Sequence, residues 1–372
     1  IERHPPNNNY KVLYNGAKRI GYTQISNARQ AINSEFRDGR GACIQMGFCN
    51  QGCKMGAKWS TLYSEIPKAE ETGNLDLRSG CMVLRIEHDK TGKANGVVYV
   101  DSYGVEHRQS ARVVCVAGNS IETPRLLLNS NSSMFPDGLG NSSGEVGRNY
   151  THHVGAIVFG EFDKPVNMHR GITVPGTVFD EARSDPSRGF AGGYLIEAVS
   201  LGLTNLAVVG DASGWGTDYA SFLEKYSHLA GVLLNGEDMP RSQNGVTLHD
   251  TERDKYGLPI PVVHVEEHAN DHAMSKHFKG QAEDLLGAVG AKKMHHIVTA
   301  AATHNMGTCR MSADAGDGVV NGFGRTHDVP NLFVSDGSQF TTATAENPTL
   351  TIVALAIRQA EHIAAELSAK NL

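Results

Sequence analysis

Apolar positions form two kinds of run along this chain, and the kind changes with position. Between residues 80 and 118 the runs are short and rich in β-branched residues. Residues 80–87 and 94–101 read as strands on either side of a turn at Thr91-Gly92-Lys93. Residues 111–118 read as a buried strand, a short Val-rich run ending in Gly118. Residues 121–129 continue as a helix with Pro124 in its first turn. From 151 to 265, strand-like runs at 155–160, 206–209, 228–234 and 262–265 alternate with polar, Gly-rich loops. That is the pattern of a large antiparallel sheet forming one wall of a pocket. Residues 270–287 show helical spacing. Beyond Asn347 and Pro348, residues Leu350, Val353, Ile357, Ala360 and Leu367 mark one face of a C-terminal helix. Asn347 is its expected N-cap and Pro348 its first residue. Residues 1–65 carry the weakest pattern. They read as mostly loop, with one short helix over 26–36 that Ser26 would cap.

Composition changes this picture little. At 372 residues the chain can bury a sizeable core, as two domains or one large one. Charged residues at 20% and hydrophobic ones at 40% are ordinary for a globular protein. The net charge of −6 gives no reason to expect nucleic acid or an anionic membrane surface as a partner. No apolar run approaches the roughly 18 residues of a spanning helix. The polar start at Ile1-Glu2-Arg3-His4-Pro5-Pro6 does not read as a signal peptide.

The chemistry concentrates towards the C-terminus. Thr303-His304-Asn305-Met306-Gly307-Thr308 places a histidine before a Gly-Thr turn. Asn331-Leu332-Phe333-Val334-Ser335-Asp336-Gly337-Ser338 reads as a strand ending in Asp-Gly, and Glu346-Asn347-Pro348-Thr349-Leu350-Thr351 as a helix start. A neutral imidazole, with a reference pKa of roughly 6.5, suits proton acceptance at ordinary pH. The N–H groups at a helix start carry partial positive charge. Glycine after Asp336 would let the backbone approach a ligand closely.

In order and spacing these three stretches resemble the C-terminal end of the glucose-methanol-choline (GMC) flavin oxidoreductases, most closely their His–Asn members of the pyranose-oxidase type. The resemblance implies an α/β fold in which a GMC-type FAD-binding domain is interlaced with an antiparallel-sheet substrate domain. On this reading residues 1–65 are a cysteine-cluster and linker region, 66–150 and 296–372 belong to the FAD-binding domain, and 151–295 bind substrate. It further implies His304 as the general base and Asn347 as the group holding the substrate hydroxyl. FAD would meet the backbone of Val83 at the adenine and Asp336 and Gly337 on the ribityl and phosphate side. Asn347, Pro348 and Thr349 would face the flavin's pyrimidine edge. Of the other histidines, His152 and His153 are the better pocket neighbours, while His295 and His296 lack such context.

A Gly-x-Gly-x-x-Gly turn after a first strand is expected for such a domain. Gly138-Leu139-Gly140 and Gly316-Asp317-Gly318 are only decoys, in loops with no preceding strand. The N-terminal dinucleotide-binding part is therefore expected to be absent, the FAD-binding domain incomplete, and FAD binding by this chain alone weak.

Cys43, Cys49 and Cys53 stand within eleven residues, interleaved with Gly47 and Gly52. Three readings stay open: a three-ligand [3Fe–4S] cluster, zinc or another metal short of its usual four ligands, and plain thiols or a disulfide with one cysteine left over. The spacing resembles the cluster loop of bacterial iron–sulfur sugar dehydrogenases of the GMC family, although Lys54 stands where those relatives have Pro. Cys81, Cys115 and Cys309 read as small core residues.

Together these features imply an FAD-dependent dehydrogenase acting on a sugar or polyol hydroxyl. Its electrons would leave through the cluster to a protein acceptor, the partner being a cytochrome or a small electron-transfer or chaperone subunit, in the periplasm and with membrane association through that partner. An oxygen-using oxidase of the same family is the first rival. An inactive or assembly fragment of a split flavoprotein is the second.

Overall fold

The computed structural model describes residues 3–27, 30–209, 215–297 and 303–372. Two compact units emerge, each gathered from three separate stretches of chain. The first comprises Ile1–Leu77, Val154–Gly236 and Ala269–Ala301, and the second Arg78–His153, Glu237–His268 and Ala302–Leu372.

The first unit is built on a six-stranded antiparallel sheet. Its order is Ile25–Asn27, Gly176–Val178, Tyr194–Val199, Leu229–Gly236, Val154–Glu161, Lys293–Ile297. Every residue of Tyr194–Val199 is buried, Glu197 included, so this strand is covered on both faces rather than alternating. Two helices, Asn8–Arg19 and Ala269–Ala288, supply Leu13, Ala17, Met274, Phe278, Ala282, Leu285 and Leu286 to the same core. Gly16 lets them touch, since a Cβ there would stand 2.4 Å from the Leu285 carbonyl oxygen.

The Asn8–Arg19 helix lies inside the region whose pattern reads as loop. Asn7 caps it by accepting the Tyr10 N–H at 2.8 Å. Asn9 enters the sheet, where Nδ2 donates to the Val199 and Gly231 carbonyls and Oδ1 accepts the Gly231 N–H. Two further expectations fail in this unit. Over 26–36 there is no helix among the described residues, and residues 28 and 29 lie outside them. Ile25–Asn27 pairs with Gly176–Val178 instead, and Ile32 bridges to Lys58. The 206–209 run is the end of a helix, Leu203–Val209, because four apolar residues fit either period.

In the second unit Met82–His88, Ala94–Val100 and Glu106–Ser110 form a three-stranded antiparallel sheet. Glu106–Ser110 is exposed at every position, and an all-polar strand leaves no periodicity to read. Val114–Val116 runs parallel to Leu332–Val334, and the 262–265 run belongs to a separate hairpin of Gly245–Arg253 with Pro259–His264. Asn331 joins the two sheets. Its Oδ1 accepts the Ala94 N–H at 2.9 Å, and Nδ2 donates to the Ala94 and Arg112 carbonyls at 2.7 Å. Asn331→Leu leaves these buried backbone groups unsatisfied and is expected to cost about 3 kcal/mol, at about 1 per bond. Denaturant unfolding checks this, and an unchanged midpoint would refute it.

The C-terminal helix runs from Thr349 to Ser368, and its packed face is not the expected one. Leu350 is 82% exposed and Ile357 57%. The buried position is Gln359, whose Nε2 donates to the Phe323 and Val334 carbonyls, both at 2.9 Å. Of the expected face only Val353 and Leu367 are half-buried, with Ile352, Leu355 and Ile363 beside them, and Gln359 anchors that side.

Candidate active site

Residues 303–308 are held in the second unit by backbone bonds to 147–153. Gly147 N–H donates to the Thr308 carbonyl, Thr151 and Met306 exchange both bonds, and His153 N–H donates to the Thr303 carbonyl. This register sets His153 beside His304. Gly307 permits it: φ is +94°, and a Cβ would stand 2.1 Å from the Asn149 carbonyl oxygen.

A second anchor comes from the Asn119–Asn129 helix, which begins two residues before the sequence pattern suggests. Pro124 therefore lies inside it, with no N–H for the carbonyl four residues earlier, that of Ser120. Thr308 Oγ1 donates to that carbonyl at 2.7 Å, and Ser120 Oγ donates to the Asn305 carbonyl at 2.6 Å. The helix defect thus becomes a docking point for the loop. Thr308→Val removes the donor and is expected to cost roughly 1–3 kcal/mol, read as a lower melting temperature. No change in melting temperature would show that the carbonyl finds another donor.

His304 has φ = +60°, a left-handed conformation sparsely populated by non-glycine residues. Such a conformation persists where its surroundings over-determine it, as the backbone bonds to 147–153 do here. Its imidazole is half-buried, and burial pushes its pKa below the ordinary histidine value. Nδ1 lies 2.8 Å from His153 Nδ1, and the rings meet edge to face at 4.8 Å. No hydrogen-bond partner for Nε2 exists among the described residues. His153 is fully enclosed, and its Nε2 lies 2.6 Å from the Thr344 carbonyl oxygen. Tyr150 donates to Asn305 Oδ1 at 2.7 Å. Burial, and then the charge of Asp238, push the Tyr150 phenol up to about 12, so it remains a donor.

Asp336 is buried and turned inward. Its carboxylate accepts from the Asn119 N–H, the Thr123 hydroxyl and the Ser338 N–H. It joins the Asn119–Asn129 helix to the strand end, and neighbouring Gly337 is also buried. Val83 lies on Met82–His88, an edge strand of its sheet, next to a register shift at Leu84. Asn347 and Thr349 are exposed and Pro348 is buried. Pro348, rather than Asn347, occupies the N-cap position, and it supplies no side-chain cap. A 20-residue helix therefore presents a first turn without a side-chain acceptor, next to exposed Thr349 and Leu350. This donor set fits an electron-rich, acceptor-bearing ring edge such as that of FAD.

The cysteines lie in the first unit. Cys43, Cys49 and Cys53 pack around Ile32, Ala57 and Ile172 and line one cavity of about 220 Å³. Gln45 N–H points at Cys43 Sγ and Lys58 N–H at Cys53 Sγ, at 3.4 and 3.5 Å. All three thiols are free, and burial pushes that of Cys43 up. Among the described residues no three His, Cys, Asp or Glu side chains are arranged to hold a metal ion. The thiols share a cavity without converging as a ligand set. Of the other cysteines Cys309 is buried, Cys81 half-buried and Cys115 exposed, so the core reading suits only the first.

Comparison with known proteins adds the family context. The N-terminal GMC oxidoreductase model matches residues 1–155, and the C-terminal one residues 240–356. The expected absence of the N-terminal part is therefore not supported. The 2-methyl-1,2-propanediol dehydrogenase of Mycolicibacterium austroafricanum is 34% identical over 99% of this chain and 69% of its own length. The fructose dehydrogenase large subunit of Gluconobacter japonicus is 28% identical over 91% of this chain and 62% of its own. The chain thus spans about two thirds of these relatives' length. The crystal structure of pyridoxine 4-oxidase from Mesorbium loti superposes with a TM-score of 0.59 at 14% identity, covering 95% of this chain and 69% of that one. At that identity the likeness shows the fold.

Proposed function

This chain belongs to the GMC oxidoreductase family, and on that footing we propose that it oxidises a sugar or polyol hydroxyl with FAD as cofactor. The observation that carries the reading is His304, a half-buried imidazole biased towards its neutral form, bonded through Nδ1 and open at Nε2. Bound FAD would supply the acceptor for the hydride leaving the alcohol carbon. The protein's task is then to take the hydroxyl proton, which His304 Nε2 can do, and to hold the hydroxyl while it does so. Asn347, exposed at the start of the C-terminal helix, is assigned the holding role. The open first turn of that helix and the edge strand bearing Val83 are the surfaces assigned to the cofactor.

Because burial lowers the pKa of His304, the base stays neutral to lower pH than a free histidine does. The acid limb of kcat/KM against pH is therefore expected below about 6.5. A limb above that value would assign the titration to another group.

Relatives named as dehydrogenases support a dehydrogenase, and one named as a large subunit supports a partner chain. The finer reading is a [3Fe–4S] exit on Cys43, Cys49 and Cys53. Their shared cavity and the two N–H groups aimed at sulfur support it, whereas the lack of a converged ligand set favours an oxidase that needs no relay. Turnover with an artificial dye but not with oxygen, together with stoichiometric iron and acid-labile sulfide, is the result expected for the dehydrogenase. Turnover with oxygen and no iron would establish the oxidase.

A further inference from the structure

We propose that His153 is a positioning residue that sets the tautomer of His304 and so puts the basic lone pair at Nε2. The proposal rests on the reading of His304 as the base and adds what makes Nε2, rather than Nδ1, the accepting atom. The inference follows a chain of donors and acceptors that begins at a backbone carbonyl. The Thr344 carbonyl oxygen only accepts, so His153 Nε2, 2.6 Å away, carries the hydrogen of that bond. A neutral imidazole has one N–H, which leaves His153 Nδ1 as an acceptor. His304 Nδ1 lies 2.8 Å from it, and two ring nitrogens at that distance share one proton. That proton belongs to His304 Nδ1, so the lone pair of neutral His304 is at Nε2.

The alternative is a doubly protonated His153 donating at both nitrogens, which would place a cation on a side chain 1% exposed. Burial of such a charge is costly. In that state His304 would carry its hydrogen on Nε2 and could not take a proton there. The pair therefore has one catalytically useful arrangement, and the Thr344 carbonyl selects it. Thr344 stands three residues before Asn347, so the bond that orders the base also ties down the segment leading into the C-terminal helix. His153 Nδ1 acts on His304 as an orienting group acts on a catalytic histidine elsewhere: it fixes tautomer and ring direction and touches no substrate.

The test uses the full chain with ¹⁵N-labelled histidine, reading the His304 ring nitrogens by NMR, with H304Q to assign them. The expected native signature is a protonated Nδ1 and an unprotonated Nε2. In H153F, which keeps a ring but offers no acceptor, the two are expected to exchange character. In H153N, whose Oδ1 can stand near the position of Nδ1, the native signature is expected to return. Turnover of the FAD-loaded protein should fall in H153F by between about ten-fold and the roughly 10⁴-fold that a wrong catalytic tautomer costs, with H153N recovering part of it.

Native His304 protonated at Nε2, or the same tautomer in all three proteins, overturns the proposal. Should H153F fail to fold, H153A takes its place: it too offers no acceptor, and a native Nδ1–H signature in it overturns the proposal. A native Nδ1–H signature combined with near-normal turnover in H304A would sink the base assignment and leave the tautomer assignment standing.

Discussion

His304→Ala is expected to lower turnover by roughly 10²–10⁴-fold, the range for loss of a general base, while flavin content is unchanged. The side chain takes no part in the backbone pairing that holds its loop, and among the described residues its bond goes to His153 Nδ1. Removing it leaves Thr151, Met306 and Gly307 paired as before. The backbone strain is not relieved, because alanine is no more comfortable than histidine at φ = +60°, and a small loss of stability is expected. A loss of rate with little loss of stability separates a base from a packing residue. Near-normal turnover, or a loss of rate that tracks flavin release, would remove His304 from the chemistry.

Gly307→Ala is expected to do the reverse, damaging the fold first and the activity through it. The position needs φ = +94°, and the added carbon would fall 2.1 Å from the Asn149 carbonyl oxygen. A backbone atom cannot swing aside as the end of a side chain can. Either the loop leaves 147–153 or that stretch moves, and both separate His304 from His153. Left-handed strain alone costs about 1–3 kcal/mol, and the steric term adds to it, so a loss of at least about 3 kcal/mol is expected. Thermal unfolding of the variant beside its turnover checks this. An unchanged melting temperature would mean that the 303–308 loop is not gripped as described.

The part of the candidate site that can be proposed from sequence is the part held in local order. His304, Asp336 and the Asn347-Pro348-Thr349 helix start each sit in a short run whose residue types carry their own chemistry. His153 does not. Its partner is 151 residues away, and the two rings meet because backbone pairing of 147–153 with 303–308 puts them in register. Thr151-His152-His153 shows only two adjacent histidines before a strand, and nothing in it tells which ring turns inward.

Similar physics explains what the fold reading missed. The Asn8–Arg19 helix is anchored by Asn9 in the sheet and by Gly16 against Leu285, contacts made with distant chain that give polar residues a reason to be buried. Gln359 in the C-terminal helix is the same case. Where long apolar runs decide structure alone, as at Val154–Glu161 against Leu229–Gly236, the antiparallel sheet was legible in outline, whereas Tyr194–Val199, interrupted by Glu197, was not. The role of Asp336 was only half visible. Its place at the end of Leu332–Val334 could be read, but not that Asn119, Thr123 and Ser338 occupy its carboxylate.

Anaerobic mixing of the FAD-loaded chain with a sugar or polyol, followed at the flavin's visible absorption, tests His304 as the hydroxyl base most directly. Rapid bleaching in the native protein, slowed by roughly 10²-fold or more in H304A, is the predicted result. Equal rates in the two proteins, or no bleaching by any sugar or polyol in native protein that has bound the flavin, would contradict it.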